Sequence, residues 1–587
     1  MGKLQKYKLI FHTVRFMTPR QWKYRLWYLA RNKVLTRKSK IHAVNSIRPI
    51  NQFYKNVIAD EKRIGVADLI CKGTFNTVSS IQLEFNNQID WDMKDYPYRL
   101  VVFRLNSFRW LLDLSAAYKT TGDDRYLIRG FSLIDDWQEK NGKLIKGDKW
   151  NPYVIADRLM NWIGFCSECS DVCGKNILIY AGFIASQADE LCGSIEFQLG
   201  ANHLLSEARA LMYAGAFLND DRLYSRGKQI LSEEFNEQFL GDGSHYEQSI
   251  SYHVESLQQY FETLVLMQIV SDDDAELLAK KLTKPYQYLN DMICADGTIP
   301  LVNDAAYDYP FDATDFLNTA NMLYNPETPN GTVGDYSIQW NFVKDTKIEI
   351  DWKKNAFHEN SGYLNYEFEL NGKRYSVFFD AGNGGPDLNQ GHAHADALNV
   401  LLSSESGSIL VDSGVFTYMP GPDRMQCRST KAHNALEIDG VNNAEVWSAF
   451  KMARRGHTKV NRYEDNEKAL IIDAEYDGYK KLLKNPVTHT RRIEIDRREG
   501  IIEITDHLSS VGKHHGNLYF HLAPECKPQF GKDGLIEIGN ISMDCSEPMK
   551  MEPCQIARSF GIKEEATCIS IGFDFIGNKS VKTRFAL

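Results

Sequence analysis

Three short stretches of this chain carry side chains suited to moving protons or holding a metal. The first is Ala201-Asn202-His203-Leu204-Leu205-Ser206-Glu207, at the start of an amphipathic run. Read by itself, Asn202 is a preferred N-cap there and His203 a histidine satisfied within the fold. The second is DGSHYEQSISYHVESL, residues 242–257, where turn-forming residues lead into a helix expected to begin near Ser251. Tyr252 then falls in the first helical turn, where the positive end of the helix dipole favours phenolate over phenol. His245 and Tyr246 fall on the preceding loop, better placed to touch a ligand than to pack. The third is NQGHAHADALNVLL, with His392 and His394 two residues apart before a strand, followed downstream by Asp412 and His433. Two residues apart share a face on a strand but diverge if a turn intervenes, and two imidazoles with a carboxylate are suitable zinc ligands, although the spacing is loose.

Two other groups invite rival chemistry. Glu207, Glu247, Glu255 and Asp304 supply carboxylates for a hydrolase that uses an acid and a base, but no sequence feature pairs them. Cys166, Cys169 and Cys173 are spaced like part of a metal or redox site. They sit in a helical stretch with no fourth ligand nearby, which predicts ordinary reduced cysteines.

The elements that must position these residues change character along the chain. From about 100 to 325 the apolar period is helical: Leu105, Phe108, Leu112 and Ala116 fall on one face, as do Leu204, Leu205, Ala208, Leu211 and Met212. Further runs at 176–192, 221–235, 252–270 and 276–293 are joined by short turns such as NDD and SDDD, predicting stacked helical hairpins without a strict repeat. From about 360 the period becomes two, on both sides of Asn371-Gly372 and again around Glu499-Gly500. The fold class expected is α+β multidomain, with residues 1–50 a basic helical extension, 51–340 the helical domain and 341–587 the antiparallel β domain. The join is placed near 330–358, where turn residues collect.

With 587 residues, one hydrophobic core is insufficient. The net charge of −9 conceals an asymmetry: residues 1–50 hold thirteen Lys and Arg and no acid, leaving about −22 on the rest. That basic segment interleaves cations with Phe, Trp, Tyr and Leu. It predicts a helix docked on the main body, a peripheral contact with an anionic membrane or a contact with an acidic polymer, interrupted at Pro19. No apolar run reaches transmembrane length, and no secretory h-region with a small-residue cleavage site is present. The expected location is therefore cytoplasmic or peripheral at the inner membrane face, with the periplasm as the alternative.

Taken together and in order, the motifs resemble the heparinase II/III family of polysaccharide lyases. The features that match are WNPYVIADRLMNWIGF (150–165), ANHLLSEARALMYAG (201–215), DGSHYEQSISYH (242–253), VNDAAYD (302–308), GHAHADAL (391–398), LVDSGVFTY (410–418) and RSTKAHNALEIDG (428–440). The resemblance implies an incomplete (α/α) toroid followed by an antiparallel β-sandwich, and β-elimination from an acidic, uronate-containing polysaccharide. Asn202, Tyr252 and His392 match the catalytic positions. His203, Tyr153, Arg158 and His245 are expected substrate contacts. His394, Asp412 and His433 match a metal triad, expected to hold a structural Zn²⁺, with no organic cofactor. Which of Tyr252 and His392 is the base stays open, as do the polymer and the oligomeric state. No nucleic acid is expected as a partner. A missing export signal in a family mostly exported suggests a role in capsule or exopolysaccharide metabolism. A glycoside hydrolase on the same toroid, a non-catalytic glycan-binding protein, and a dehydratase or epimerase sharing the C5 carbanion are the rival classes.

Overall fold

The computed structural model describes residues 2–34, 37–50, 61–78, 81–85, 88–309, 312–324, 354–531 and 534–587. The chain opens with two helices, α1 (Lys3–Val14) and α2 (Pro19–Val34), broken where Pro19 predicts. They pack on the main body rather than standing apart. Trp447 Nε1 donates to Thr13 Oγ1 at 3.1 Å, and Arg31 pairs with Glu190 at 3.2 Å. Residues 37–50 continue along the helical domain, where Arg48 N donates to Phe217 O at 2.8 Å.

The helical domain is a succession of hairpins. The elements that matter for the site are α3 (Pro152–Glu168), α4 (Ala201–Leu218), α5 (Asp221–Gln238), α6 (Ile250–Ile269) and α7 (Ala275–Met292). Helix α4 packs against α3, α5 and α6, and nearly all its residues are buried. Small residues let it do so: a Cβ on Gly215 would meet Tyr224 N at 2.4 Å, and one on Gly227 would meet Ala208 O at 2.4 Å. The turn between α4 and α5 follows its residues. Asn219 takes the left-handed conformation at φ 56°, and Asp220 caps α5 by accepting from Arg222 N and Leu223 N. One expectation fails here: Leu105 and Leu112 do not share a helix. Arg99–Ser107 ends at Phe108, whose φ is 61°, and a new helix runs Leu111–Thr121. All four apolar residues of that predicted face are nonetheless buried, so a periodic run survives a break in the helix.

Two sheets form the β domain. The inner one has five strands, including β1 (Tyr363–Leu370), β2 (Lys373–Asp380), β3 (Val400–Ser404) and β4 (Gly407–Leu410). The outer one has ten, built around β5 (Val487–Asp496), β6 (Ile501–His521) and β7 (Glu564–Ala586). Alternation divides the inner sheet between two cores. Leu364, Val377, Phe379, Val400 and Leu402 face the outer sheet, whereas Tyr363, Phe378 and Leu401 join the core of the helical domain. The sheet is bolted to α7 by polar contacts as well: Asn365 Nδ2 donates to Asp291 O at 2.9 Å. The β1–β2 hairpin turns at Asn371-Gly372, with φ of 52° and 74°. The turn at Glu499-Gly500 is longer than a two-residue hairpin: Asp496 pairs with Ile501, and its carboxylate accepts from Arg498 N and Glu499 N.

The predicted domain boundaries at 50/51 and 340/341, and most of the predicted join, lie outside the described residues. The change of class is bracketed by helix Ala313–Tyr324 and strand Phe357–His358. Of the cysteine cluster, Cys166 and Cys169 are buried and Cys173 is half-buried, with no disulfide among them. Among the described residues no helix is long and apolar enough to cross a membrane.

Candidate active site

A cleft of about 1520 Å³ runs between the helical domain, the loops of the β domain and the N-terminal helices. Asn202, His203, Tyr153, Tyr252 and His392 all line it, although they come from separate parts of the chain. Its walls carry eight lysines and arginines, Arg25, Arg99, Arg104, Arg109 and Arg455 among them, against Asp113, Asp308 and Asp387. A chain of net negative charge has thus placed a cationic groove at one site, which suits an anionic polymer.

Tyr252 and His392 meet at the centre. Their ring centroids are 3.8 Å apart. Tyr252 stands in the first turn of α6, capped by Ser249, and its hydroxyl lies 3.1 Å from that of Tyr418. The expectation that this position lowers the phenol's pKa is not met. Burial, together with Tyr418, Tyr309, Glu255 and Asp304 nearby, pushes it well above its ordinary value. Desolvation is the largest of these causes.

His392 is held from behind by Asp304, whose Oδ2 lies 2.9 Å from Nδ1. The same carboxylate reaches His394 Nε2 at 2.8 Å through Oδ1 and takes a hydrogen bond from Arg424 Nη2 at 2.7 Å. Burial alone would raise the Asp304 pKa; Arg424 and the two imidazoles outweigh it and hold the carboxyl well below its usual range. Asp304 is therefore an anion at His392 Nδ1, while the other ring nitrogen, Nε2, lies 3.9 Å from the buried carboxylate of Glu247. The histidines are not on a strand. They ride the loop between β2 and β3, which is laced to the Asp304 segment: Asp304 N donates to His392 O at 3.1 Å, and His394 N to Asn303 Oδ1 at 2.9 Å.

Asn202 is not an N-cap. Gly200 precedes the helix and Ala201 takes φ 53°, which turns Asn202 inward from the first turn of α4. Its Nδ2 donates to Glu255 Oε2 at 3.2 Å, and Tyr309 donates to the same oxygen at 2.8 Å. Glu255 is one turn beyond Tyr252 on α6, so amide and phenol are fixed by the same helix face. His203 stacks on Tyr153 with centroids 4.5 Å apart and has Nδ1 3.0 Å from Glu196 Oε2. Burial works against a charge on His203, but Glu196 overcomes it and raises the pKa.

Two expected substrate contacts are elsewhere. Arg158 is fully buried, with Nη1 donating to Asn106 O and Lys149 O and the guanidinium over Trp137 at 4.1 Å. It ties helices together, and desolvation lowers its pKa to about 9. His245 is 1% exposed, packed against Gln238 Oε1 at 3.0 Å and Ser256 Oγ at 3.2 Å. Its loop folds under α6, so turn-forming residues did not mean exposure.

A buried cluster able to hold a metal contains both expected histidines together with Asp396. Among the described residues, ligand atoms of His394, Asp396 and His433 lie within 4.8 Å of one another. Asp412 instead backs His433, with Oδ2 2.8 Å from Nδ1. Each imidazole thus has one nitrogen fixed by a carboxylate, Asp304 or Asp412. The other nitrogens, His394 Nδ1 and His433 Nε2, are buried without a hydrogen-bond partner. Orphaned imidazole nitrogens with carboxylates behind them fit a divalent metal such as zinc, because the second-shell carboxylate fixes tautomer and ring orientation.

Residues 22–327 match the family model for the heparinase II/III N-terminus, and residues 353–553 that for the heparinase II/III-like C-terminal region. The chain belongs to the heparinase II/III family. Among curated members, a heparin-sulfate lyase of Bacteroides thetaiotaomicron is 26% identical over 221 residues, 34% of this chain and 31% of that protein. Another heparin-sulfate lyase, from Pedobacter heparinus, is 22% identical over 477 residues, 76% of this chain and 66% of its own length. The chain thus spans less than two thirds of both. A crystal structure of heparinase III superposes with a TM-score of 0.72 at 18% identity, covering 98% of this chain and 92% of that one. That likeness extends the toroid-plus-sandwich fold over the whole molecule.

Within this heparinase II/III fold, several site residues escaped sequence reasoning. Asp304 stood among unpaired hydrolase carboxylates, and Asp396 lay unassigned two residues from His394. Tyr309, Tyr418 and Arg424 had no signal beyond their position in or near the matched motifs. None of the four carboxylates weighed for a hydrolase lines the cleft; all are buried behind it.

Proposed function

We propose that the chain is a polysaccharide lyase that cleaves a uronate-containing glycosaminoglycan by β-elimination. The observation that carries this reading is the meeting of Tyr252 and His392 at 3.8 Å in a cationic cleft beside Asn202. The heparin-sulfate lyase names of the relatives favour a glycosaminoglycan over other uronate polymers.

The chemical obstacle is the weak acidity of the uronate C5–H while its carboxylate is charged. An amide N–H of Asn202 donating to that carboxylate stabilises the charge that develops on it as C5 loses its proton. His392 Nε2 takes the proton, since Asp304 occupies the other ring nitrogen and stabilises the imidazolium formed. The C4–O4 bond breaks as the C4=C5 double bond forms, and the Tyr252 hydroxyl gives its proton to O4. A phenol whose surroundings raise its pKa is suited to this acid role. His203 and Tyr153 form the neighbouring wall for the sugar. Zinc held by His394, Asp396 and His433 would brace the loop that carries His392; it supplies structural rigidity. A role on capsule or exopolysaccharide near a membrane is the finer reading, motivated by the basic N-terminus.

The test is incubation with a panel of uronate polymers, monitored in the near-UV. New absorbance from an unsaturated uronate, lost in Tyr252→Phe and His392→Ala, is the expected result. New reducing ends without absorbance would indicate hydrolysis and reject the proposal.

A further inference from the structure

We propose that α1 and α2 form a docking surface for an anionic lipid bilayer. Each helix has an apolar stripe on the side turned away from the protein. In α1, Leu9 is buried, while Leu4, Tyr7 and Phe11 are 73%, 68% and 63% exposed. Their three- and four-residue spacing places them on one face. In α2, Gln21 and Arg31 are buried against the body, while Trp22, Leu26 and Leu29 share the outer face and Trp27 stands beside it. Seven large apolar side chains on two consecutive short helices form far more than scattered surface hydrophobics.

The charge around them selects the occupant. Residues 3–34 contain nine Lys and Arg and no acid. Lys3, Lys6, Lys8 and Lys23 are exposed among the apolar stripes. An apolar face with a cationic border matches the boundary between headgroups and acyl chains of a bilayer containing anionic lipid, in which Trp and Tyr also settle. In a symmetric pairing, a second copy would set one acid-free cationic face against another, and soluble polyanion offers nothing for Leu4, Leu26 or Leu29. Helix α1 is fixed to the cleft rim by its inner side, where Thr13 contacts Trp447 and Ile10 and Val14 line the cleft; Met17 in the connector and Arg25 of α2 line it as well. Docking would therefore hold the cleft mouth beside the membrane. Lipid binding is independent of the lyase reading and is measured without polysaccharide.

The experiment is flotation of the full-length chain with vesicles of phosphatidylcholine alone, and of phosphatidylcholine with phosphatidylglycerol at roughly three to one. The parent is expected to float with the mixed vesicles at low salt, with a blue shift of tryptophan fluorescence. Leu26→Ser/Leu29→Ser and Leu4→Ser/Phe11→Ser should each lower partitioning by about tenfold. Lys3→Glu/Lys6→Glu/Lys8→Glu, which alters exposed charge alone, should abolish the preference for the mixed vesicles. All variants should keep the parent's circular dichroism. Failure of the parent to float, equal binding to both vesicle types, or serine variants that bind like the parent would overturn the proposal. So would a parent dimer that the serine variants dissolve, because a second copy would then occupy the face.

Discussion

As the proposed acid and base, Tyr252 and His392 would have opposite requirements, and their surroundings differ accordingly. The phenol is buried among other phenols and carboxylates that raise its pKa, whereas the imidazole has an anion at Nδ1. Tyr252→Phe should lower kcat by about 10²–10⁴-fold, with polymer retention on an affinity matrix unchanged. Because the acid must be protonated and its pKa is raised, the parent's pH–rate profile should lack a phenol-ionisation limb below about pH 10. Asp304 links this pair to Arg424, which has no exposure to water. Asp304→Asn leaves that cation unpaired and should cost about 3–5 kcal/mol in urea unfolding. The sign with pH follows from the depressed folded pKa. The carboxylate's contribution is present above its unfolded value of about 3.9 and is lost as pH falls below that towards the folded value. The gap between parent and variant should thus narrow under acid conditions, and a gap constant down to the lowest pH would contradict the role assigned to Asp304.

Among the elements, the start of α4 and the loop between β2 and β3 decide the geometry. Ala201 holds a left-handed φ of 53°, a conformation costing about 1–2 kcal/mol for a residue with a Cβ. Glycine there relieves that strain but adds about 0.5–1 kcal/mol of unfolded-state entropy. Ala201→Gly should therefore raise stability by about 0–1.5 kcal/mol while loosening Asn202 and lowering kcat. Calorimetry and steady-state kinetics on the same sample check both halves. A metal held by His394, Asp396 and His433 would brace the β2–β3 loop. Elemental analysis should find one zinc per chain, lost in Asp396→Asn, whereas Asp412→Asn should weaken affinity by about 10–100-fold through misorientation of His433. Equal metal content in all three proteins would refute this assignment.

At the scale of the whole molecule, a negatively charged chain concentrates cations in one cleft between two domains and an N-terminal helical pair. Attraction of this kind is screened by salt. KM for an acidic polymer should rise severalfold between low ionic strength and about 1 M, where the Debye length is about 3 Å, with a smaller change in kcat. An unchanged KM would mean that the cleft cations serve folding rather than recognition.

Periodicity determined the helical half, the β half and the hairpin at Asn371-Gly372, because local spacing of apolar residues dictates which face is buried. The ordered motifs also determined which amide, phenol and imidazole to single out, and the cleft contains all three. Long-range packing decided the rest. Only the tertiary structure placed Arg158 and His245 in the interior, since a polar residue's exposure depends on what folds over it. It also brought Asp396 beside His394 and His433, set Asp412 on His433 Nδ1 and made Asp304 an orienting anion. Those roles arise from contacts as distant in sequence as Asp304 and Arg424, where no local pattern can register the partner.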